Sequence, residues 1–156
     1  MSRGIGVTIA VVTLLVVVAM AVIGPVLYDA SPVTMDLAAA GTGPSASHLL
    51  GTDESGRDVL ARLLAGARVS LLVGLLAMLL AVALGTLVGT VAGVSGGWLD
   101  ALLMRLTDTA LSVPGLFIVI LVLTFLGPSV STLLLAIAAT SWMGTARVVR
   151  GELLVL

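Results

Sequence analysis

The sequence predicts an all-α, polytopic helical membrane protein, and three observations lead to this fold class. Hydrophobic residues make up 60% of the 156 residues and only 10% are charged, whereas a soluble domain is about 45–50% apolar and about 25% charged. Three long runs carry no charge, and each exceeds the ~20 residues that cross a bilayer core. The longest run contains a Gly-Pro turn signal, so we expect about four transmembrane helices.

The first crossing is predicted over residues 5–27, an uncharged run with Gly24-Pro25 near its end. A cleaved signal peptide would have a shorter apolar core, of about 7–15 residues, and a small-residue cleavage site soon after it. The length of the run therefore favours an uncleaved helix. Residues 1–27 form the first of three predicted parts of the chain.

Residues 28–68 are the only long polar segment and form the second predicted part. Up to Ser47 the segment is rich in Pro, Gly, Ser, Thr and Ala, which is typical of irregular chain. Residues 56–68 instead have the periodicity of a helix. One face of this helix would carry Val59, Leu60, Leu63, Leu64 and Ala67, and the other Arg57, Asp58, Arg62 and Arg68.

This pattern predicts a short amphipathic helix that starts near Ser55 and lies along the membrane interface. Asp58 and Arg62 are four positions apart and can pair on its polar face. A solvated helix that merely leads into the membrane is the alternative, because amphipathicity alone does not fix the depth of a helix.

The second uncharged run, residues 69–97, predicts a crossing near residues 69–92 and opens the third part, residues 69–156. Small residues recur at every fourth position, namely Ala77, Ala81, Gly85, Gly89, Gly93 and Gly97. Such a stripe lets the backbone of another helix approach closely. We therefore expect helix packing at Ala81, Gly85, Gly89 and Gly93, and a substrate path along the stripe is the alternative.

The third run, residues 109–146, is too long for one crossing. As a single helix it would extend ~57 Å at 1.5 Å per residue, and the hydrocarbon core is ~30 Å thick. The run must therefore turn, and Gly127-Pro128-Ser129 is the turn signal. Crossings are predicted over residues 109–126 and 130–146, with a kink at Pro114.

Three charged residues, Asp100, Arg105 and Asp108, precede the third run. Arg105 can pair with Asp108 on one helical face. The simplest interpretation is that these charges anchor a helix end at the membrane boundary. A role in the assembly or coupling of a larger complex is the alternative, because charges at a membrane boundary are candidates for function.

Two short motifs raise enzymatic hypotheses that their context argues against. GTDESGRD, residues 51–58, has the spaced glycines of a phosphate-binding loop. However, Arg57 and Asp58 replace the Lys and the hydroxyl that such a loop needs, and its acidic residues would repel phosphate. Residues 93–97 match the G-x-S-x-G of hydrolases, but they follow no predicted strand.

No catalytic, cofactor or metal site is predicted. The sequence has no Cys and one His, so it lacks a recognisable set of metal ligands. The net charge of −1 argues against a nucleic-acid partner. The composition itself predicts one partner, the lipid bilayer.

Beyond these patterns, three stretches resemble a permease subunit of the dipeptide/oligopeptide ABC importers, a branch that includes nickel permeases. They are HLLGTDESGRDVLARLLAGARVSLLVG from His48, GGWLDALLMRLTDTALSVPGLF from Gly96, and the terminal ARVVRGELLVL. The residues that carry the resemblance are Gly51, Thr52, Asp53, Gly56, Arg57, Asp58, Arg62, Arg68, Asp100, Arg105, Asp108 and Pro114.

The resemblance implies the first half of a type I ABC importer permease, with an incomplete transmembrane domain over residues 69–156. Family members continue into a cytoplasmic loop that docks on the ATP-hydrolysing subunit, and then into two more crossings. The implied partners are a second permease, two ATPase subunits and an extracytoplasmic solute-binding protein. The resemblance also implies a bacterial or archaeal cytoplasmic membrane and a cytoplasmic N-terminus.

The implied activity is transport of peptides or a related small solute by alternating access, without covalent chemistry in this chain. A small helical membrane scaffold or a permease fragment without transport activity is the alternative. An EAA-type loop encoded beyond Leu156 would favour the permease.

Overall fold

The computed structural model describes residues 2–155, most of which are helical. Five helices follow one another: α1 (Ser2–Leu27), α2 (Val59–Ser95), α3 (Gly97–Leu111), α4 (Gly115–Leu126) and α5 (Val130–Leu153). Within the described residues, β-structure is limited to one isolated bridge between Thr52 and Asp58. The predicted all-α fold is confirmed.

Three helices, α1, α2 and α5, are each long and apolar enough to cross a membrane. Helices α3 and α4 meet at a bend of 79° and make a fourth crossing if they form one broken span. The large side chains along α1 are exposed on nearly every turn, as expected of a helix whose solvent is lipid. The prediction of about four crossings agrees with this arrangement.

The first turns of α2 differ from the prediction. A separate amphipathic helix is predicted over residues 56–68, whereas α2 begins at Val59 and continues without a break into the apolar crossing. Gly66 lies near the predicted junction, but a glycine costs only ~1 kcal/mol relative to Ala and does not by itself end a helix. The amphipathic residues are therefore the first turns of a long membrane helix.

The chain divides into two compact units, one up to Leu72 and one from Val73 onward. In the first unit, the last turns of α1 lie against the start of α2. A Cβ atom on Gly24 would come within 2.6 Å of Leu64 Cδ2, and Leu64 is buried. The two helices therefore meet close to the ends that residues 28–58 connect.

Residues 28–58, called the connecting segment below, fold back on themselves. The segment contains a 3-10 turn at Leu37–Ala39 and is otherwise irregular up to Ser47, as predicted. Backbone hydrogen bonds of 3.0 Å join Gly41 N to Asp53 O and Thr52 N to Thr42 O. These bonds hold the early part of the segment against residues 51–58.

In the second unit, α5 carries five buried residues, and α2 also contributes buried positions from Val73 to Ala92. Those of α5 are Thr132, Ala136, Ala138, Met143 and Ala146. Helices α3 and α4 both contact α5. The predicted turn before α5 is present: Gly127 has φ +85°, and Ser129 Oγ accepts a hydrogen bond from Thr132 N at 3.0 Å.

The predicted third crossing is divided into two helices. The sequence predicts one kinked helix over residues 109–126, but α3 ends at Leu111 and α4 starts after Pro114. Proline has no N–H to donate, and its ring collides with the preceding turn. Pro114 therefore starts a new helix at a steep angle.

Candidate functional site

Asp53 organises the loop formed by residues 51–58. Its Oδ1 atom accepts hydrogen bonds from Ser55 N at 2.8 Å and from Arg57 N at 3.0 Å. Its Oδ2 atom accepts one from Arg57 Nε at 2.9 Å and another from Arg62. Chiefly through the Arg57 N–H, these bonds lower the pKa of Asp53 to about 2. The carboxylate thus occupies the amide donors that a bound phosphate would need.

At two positions in this loop, the backbone comes so close to another stretch of backbone that only glycine fits. Gly51 has φ +76° and Gly56 has φ +73°, a conformation that other L-residues rarely adopt. A Cβ on Gly51 would lie 2.5 Å from Thr42 O, and one on Gly56 would collide with Asp36 O. Both positions therefore require glycine for backbone conformation and for space.

Asp58 joins three parts of the first unit. Its buried carboxylate accepts a hydrogen bond from Ala61 N at 2.8 Å, which caps α2. Its Oδ2 atom accepts one from the Tyr28 hydroxyl at 2.7 Å and lies 2.9 Å from His48 Nδ1. Asp58 therefore connects the residue after α1, the middle of the connecting segment and the first turn of α2.

The electrostatics of this cluster keep Asp58 ionised. Burial alone would raise the pKa of the Asp58 carboxyl, but the hydrogen bonds from Ala61, Tyr28 and His48 outweigh it and lower the pKa. The hydrogen bond to Asp58 in turn raises the pKa of the Tyr28 hydroxyl. The groups are paired with one another, and structural networks of this kind also shift pKa values.

The predicted Asp58–Arg62 pair is replaced by a different one. Asp58 turns towards the helix start, so Arg62 reaches back and pairs with Asp53. Thr52 is buried, and its hydroxyl lies 2.9 Å from that of Thr42. Arg68 is exposed on α2. Of the resemblance residues in this region, six lie in or next to the loop, namely Gly51, Thr52, Asp53, Gly56, Arg57 and Asp58.

The small-residue stripe of α2 lies against α5. A Cβ on Gly85 would lie 2.6 Å from Trp142 O, one on Gly89 would lie 2.5 Å from Ala146 O, and one on Gly93 would lie 2.9 Å from Leu153 Cβ. Ala81 is buried one turn earlier. Real Cβ atoms essentially never approach so closely, so this α2–α5 seam depends on the absence of side chains.

Beside the seam lies an open groove of about 380 Å³. Its lining residues are mostly apolar or small: Gly74, Ala77, Met78, Ala81, Val82, Ile137, Ser141 and Thr145. The Ser141 hydroxyl donates to Ile137 O at 2.7 Å. This polar group is therefore already bonded within its own helix, and the groove is essentially apolar.

Ion pairs connect α3 to α5. Arg150 donates to Asp100 through Nε at 2.5 Å and Nη2 at 2.6 Å. Arg147 Nη1 lies 3.7 Å from Asp108 Oδ1. The predicted Arg105–Asp108 pair is absent from the ion pairs of the described residues, and Asp108 instead lies beside Arg147 of α5.

Local sequence patterns missed Tyr28, His48, Arg147 and Arg150 as partners. Tyr28 and Asp58 are 30 residues apart, and Arg150 and Asp100 are 50 apart. Helical spacing identifies only partners three or four positions away. These pairs therefore become visible only when the chain is folded.

Comparisons with known proteins identify related membrane transport proteins. A family model described as binding-protein-dependent transport system inner membrane component matches residues 85–155. The chain is 44% identical over 141 residues to the dipeptide transport system permease protein DppC of Bacillus subtilis, which covers 90% of this chain and 44% of that protein. It is 43% identical over 152 residues to the oligopeptide transport system permease protein OppC of Escherichia coli, covering 94% of this chain and 50% of that protein.

A third relative is the probable D,D-dipeptide transport system permease protein DdpC of Escherichia coli, 40% identical over 150 residues, with 96% of this chain and 50% of that protein covered. The chain thus spans about half the length of the curated relatives it matches. It belongs to the family of binding-protein-dependent transport system inner membrane components and is similar to the peptide permeases within it.

Proposed function

We propose that this chain is a membrane-spanning part of an ABC importer permease for peptides or a related small solute. The observation that carries the proposal is its similarity, over 90% or more of its length, to curated dipeptide and oligopeptide permeases. Transport proceeds by alternating access. Binding and hydrolysis of ATP by partner subunits move the helices, so that a central path opens first to one side of the membrane and then to the other.

The partners are a second permease subunit, two ATPase subunits and an extracytoplasmic solute-binding protein. ATP hydrolysis resides on the ATPase subunits, and this chain performs no covalent chemistry. The three functional parts are residues 1–27 as the first membrane helix, 28–68 as the extracytoplasmic segment together with the first turns of α2, and 69–156 as part of the transmembrane domain. The small residues Ala81, Gly85, Gly89 and Gly93 serve helix packing, which is supported by their close approach to α5.

The chain resides in the cytoplasmic membrane of a bacterium or archaeon with its N-terminus in the cytoplasm. In this orientation four Arg residues (Arg3, Arg105, Arg147 and Arg150) are cytoplasmic and three (Arg57, Arg62 and Arg68) are outside, a small excess on the side that basic residues prefer. Single-cysteine labelling tests it directly, since the sequence has no Cys. A membrane-impermeant maleimide applied to intact cells should label Ser45→Cys and leave the exposed Ser95→Cys unlabelled. The reverse pattern would invert the orientation.

A chimera tests the transport function. Residues 1–156 replace the aligned part of the Escherichia coli oligopeptide permease in a strain that lacks it, and uptake of a labelled peptide is measured. We expect uptake that disappears when the partner ATPase is inactivated. A chimera that reaches normal abundance, assembles with its partners and transports nothing would favour the alternative function, a helical scaffold without transport activity.

A further inference from the structure

Helices α4 and α5 run side by side in opposite directions. At one end, three residues join the end of α4 to the start of α5. At the other end, a Cβ on Gly115 would lie 3.6 Å from Thr140 Cβ. The stretches between these two points, residues 115–126 and 130–140, are nearly equal in length, at ~18 Å and ~17 Å. The axes of α4 and α5 are therefore close to antiparallel.

Helix α3 lies steeply across this pair. It is bent by 79° from α4, and it contacts α5. Helix α5 is long and apolar enough to cross the membrane, and membrane helices tilt by ~20° on average from the bilayer normal. A helix at so steep an angle to such a crossing lies closer to the membrane plane than to the normal.

The ion pairs of α3 place it at the level where the apolar part of α5 ends. Residues 130–146 of α5 carry no charge and extend ~26 Å, close to the ~30 Å of a hydrocarbon core. The next residue, Arg147, lies beside Asp108 of α3. Arg150, one turn later, pairs with Asp100 of α3. Helix α3 therefore crosses α5 at the boundary between hydrocarbon and headgroups.

The exposed face of α3 has the composition of an interfacial helix. Trp98 is 76% exposed, Leu102 44% and Leu106 59%, and Arg105 is exposed beside them. The opposite face carries Thr107, which is fully buried. Trp is enriched at membrane interfaces, and Leu side chains enter the acyl boundary. An Arg side chain can lay its apolar stem along that boundary and keep its charge among the headgroups.

We propose that α3 lies along the membrane surface as an interfacial helix. Trp98, Leu102 and Leu106 sit in the layer between headgroups and acyl chains, and Arg105 lies beside the lipid phosphates. Trp and Arg also anchor protein interfaces, but the orientation and the depth of α3 put this face against lipid.

The break before Pro114 then lets the chain turn from the membrane surface into the bilayer. Helix α4, with the residues that flank it, makes the fourth crossing, and α3 leads into it. The inference requires only that α4 and α5 cross the membrane. It depends neither on the proposed transport activity nor on the direction in which the chain is inserted.

The depth of spin labels tests the orientation of α3. Leu102→Cys and Thr109→Cys are exposed positions seven residues apart in α3, on the same side of the helix. Ser141→Cys and Val148→Cys, also exposed and seven apart, are the matched pair in α5. Each full-length variant is spin-labelled and reconstituted into phosphatidylcholine vesicles. Accessibility of the label to oxygen and to a water-soluble nickel complex then gives its depth.

Seven helical residues extend ~10 Å along the axis, so the two α5 labels should differ in depth by about that amount. We expect the two α3 labels to differ by less than half of the α5 difference, and both to lie near the headgroups. A larger difference would make α3 a tilted part of the membrane span and overturns the proposal, as does an α5 pair at equal depth.

The same labels distinguish lipid from a protein partner. Labels on α3 that are as accessible to the nickel complex as labels in water overturn the proposal. If such labels become protected only when the ATPase subunits are added, the exposed face of α3 belongs to a protein interface instead.

Discussion

The connecting segment and the α2–α5 seam are held together in opposite ways. In the segment, charged side chains accept several hydrogen bonds each, as Asp53 does from Ser55, Arg57 and Arg62. In the seam, Gly85 and Gly89 contribute no side chain and let α2 touch the backbone of α5. The connecting segment depends on hydrogen bonds made by side chains, and the seam depends on glycines that have no side chain.

Water surrounds the connecting segment and lipid surrounds the helices, and this explains the difference. Water competes for the groups of the segment, so a typical hydrogen bond there contributes only about 0.5–1.5 kcal/mol. Inside a bilayer, apolar side chains gain little by leaving lipid for protein, so helices associate through close contact. We therefore expect damage to the segment to be local, whereas damage to the seam should separate helices.

The largest effect is expected for Gly89→Leu. The new side chain would collide with Ala146 O and Val149 of α5, and overpacking typically costs ~1–3 kcal/mol even where neighbours can move. Leu87→Ala removes a side chain that is 62% exposed and should cost little. We expect much less monodisperse protein in detergent, and a lower melting temperature, for Gly89→Leu than for Leu87→Ala.

A pair of smaller substitutions controls for helix propensity. Gly89→Ala places a Cβ 2.5 Å from Ala146 O, whereas Gly74→Ala, on the same helix, meets nothing within 4 Å. Alanine is favoured over glycine in a helix by ~1 kcal/mol. Gly74→Ala should therefore be neutral or stabilising and Gly89→Ala destabilising. Equal melting temperatures for these two variants would contradict the close packing of Gly89 against α5.

Asp58→Ala should have the next largest effect, confined to the first unit. The change removes the cap of α2, a loss of ~0.5–2 kcal/mol, and leaves Tyr28 and His48 without their partner. Hydrogen exchange should accelerate over residues 59–64 and remain unchanged in α5. Glu54→Ala, an exposed acidic position in the same loop, is the control, and equal exchange in the two variants would argue against the cluster.

Removing Arg150 should matter more than removing Arg147. Arg150 and Asp100 are 31% and 13% exposed and form two short bonds, whereas Arg147 and Asp108 are 59% and 61% exposed at 3.7 Å. Exposed pairs contribute little. Arg150→Gln should lower the melting temperature by at least about twice as much as Arg147→Gln, since only the first leaves a largely buried carboxylate unpaired. Similar shifts would contradict the larger contribution expected of the less exposed pair.

The sequence predicted the seam better than the charged contacts, for a physical reason. A stripe such as Ala81, Gly85 and Gly89 repeats at the spacing of one helical turn, so it can be recognised in the sequence alone. Pairs such as Asp100 with Arg150 depend on where helices end up in space. The local alternatives, Asp58 with Arg62 and Arg105 with Asp108, satisfy the spacing rule, yet the fold supplied other partners.

The helix boundaries also show what local sequence patterns can and cannot predict. The turn at Gly127-Pro128-Ser129 was predictable because proline and glycine act locally. The continuity of α2 from residue 59 through 68 into the apolar crossing was not, because amphipathicity identifies a helix without showing whether it ends. The break at Pro114 was expected as a kink, and its 79° angle is accompanied by contacts of both α3 and α4 with α5.

The smallest expected effect is a pH dependence of the loop around Asp53. Its pKa is lowered from 3.8 to about 2 in the folded loop, so the ionised carboxylate stabilises the loop fully above about pH 4. This contribution is lost as the pH falls towards about 2, where the folded loop also binds the proton. Exchange of the Ser55 and Arg57 amides, corrected for intrinsic rates, should therefore accelerate over this window.

Asp58 also has a lowered pKa, so acid weakens its cluster as well, and Asp53→Asn separates the two contributions. An amide at position 53 does not titrate and accepts fewer charge-assisted bonds. The variant should exchange faster at neutral pH and lose the acid dependence at Ser55 and Arg57, while Ala61, bonded to Asp58, keeps its own. If Ser55 and Arg57 retain the full acid dependence in Asp53→Asn, the Asp53 carboxylate is not what holds the loop.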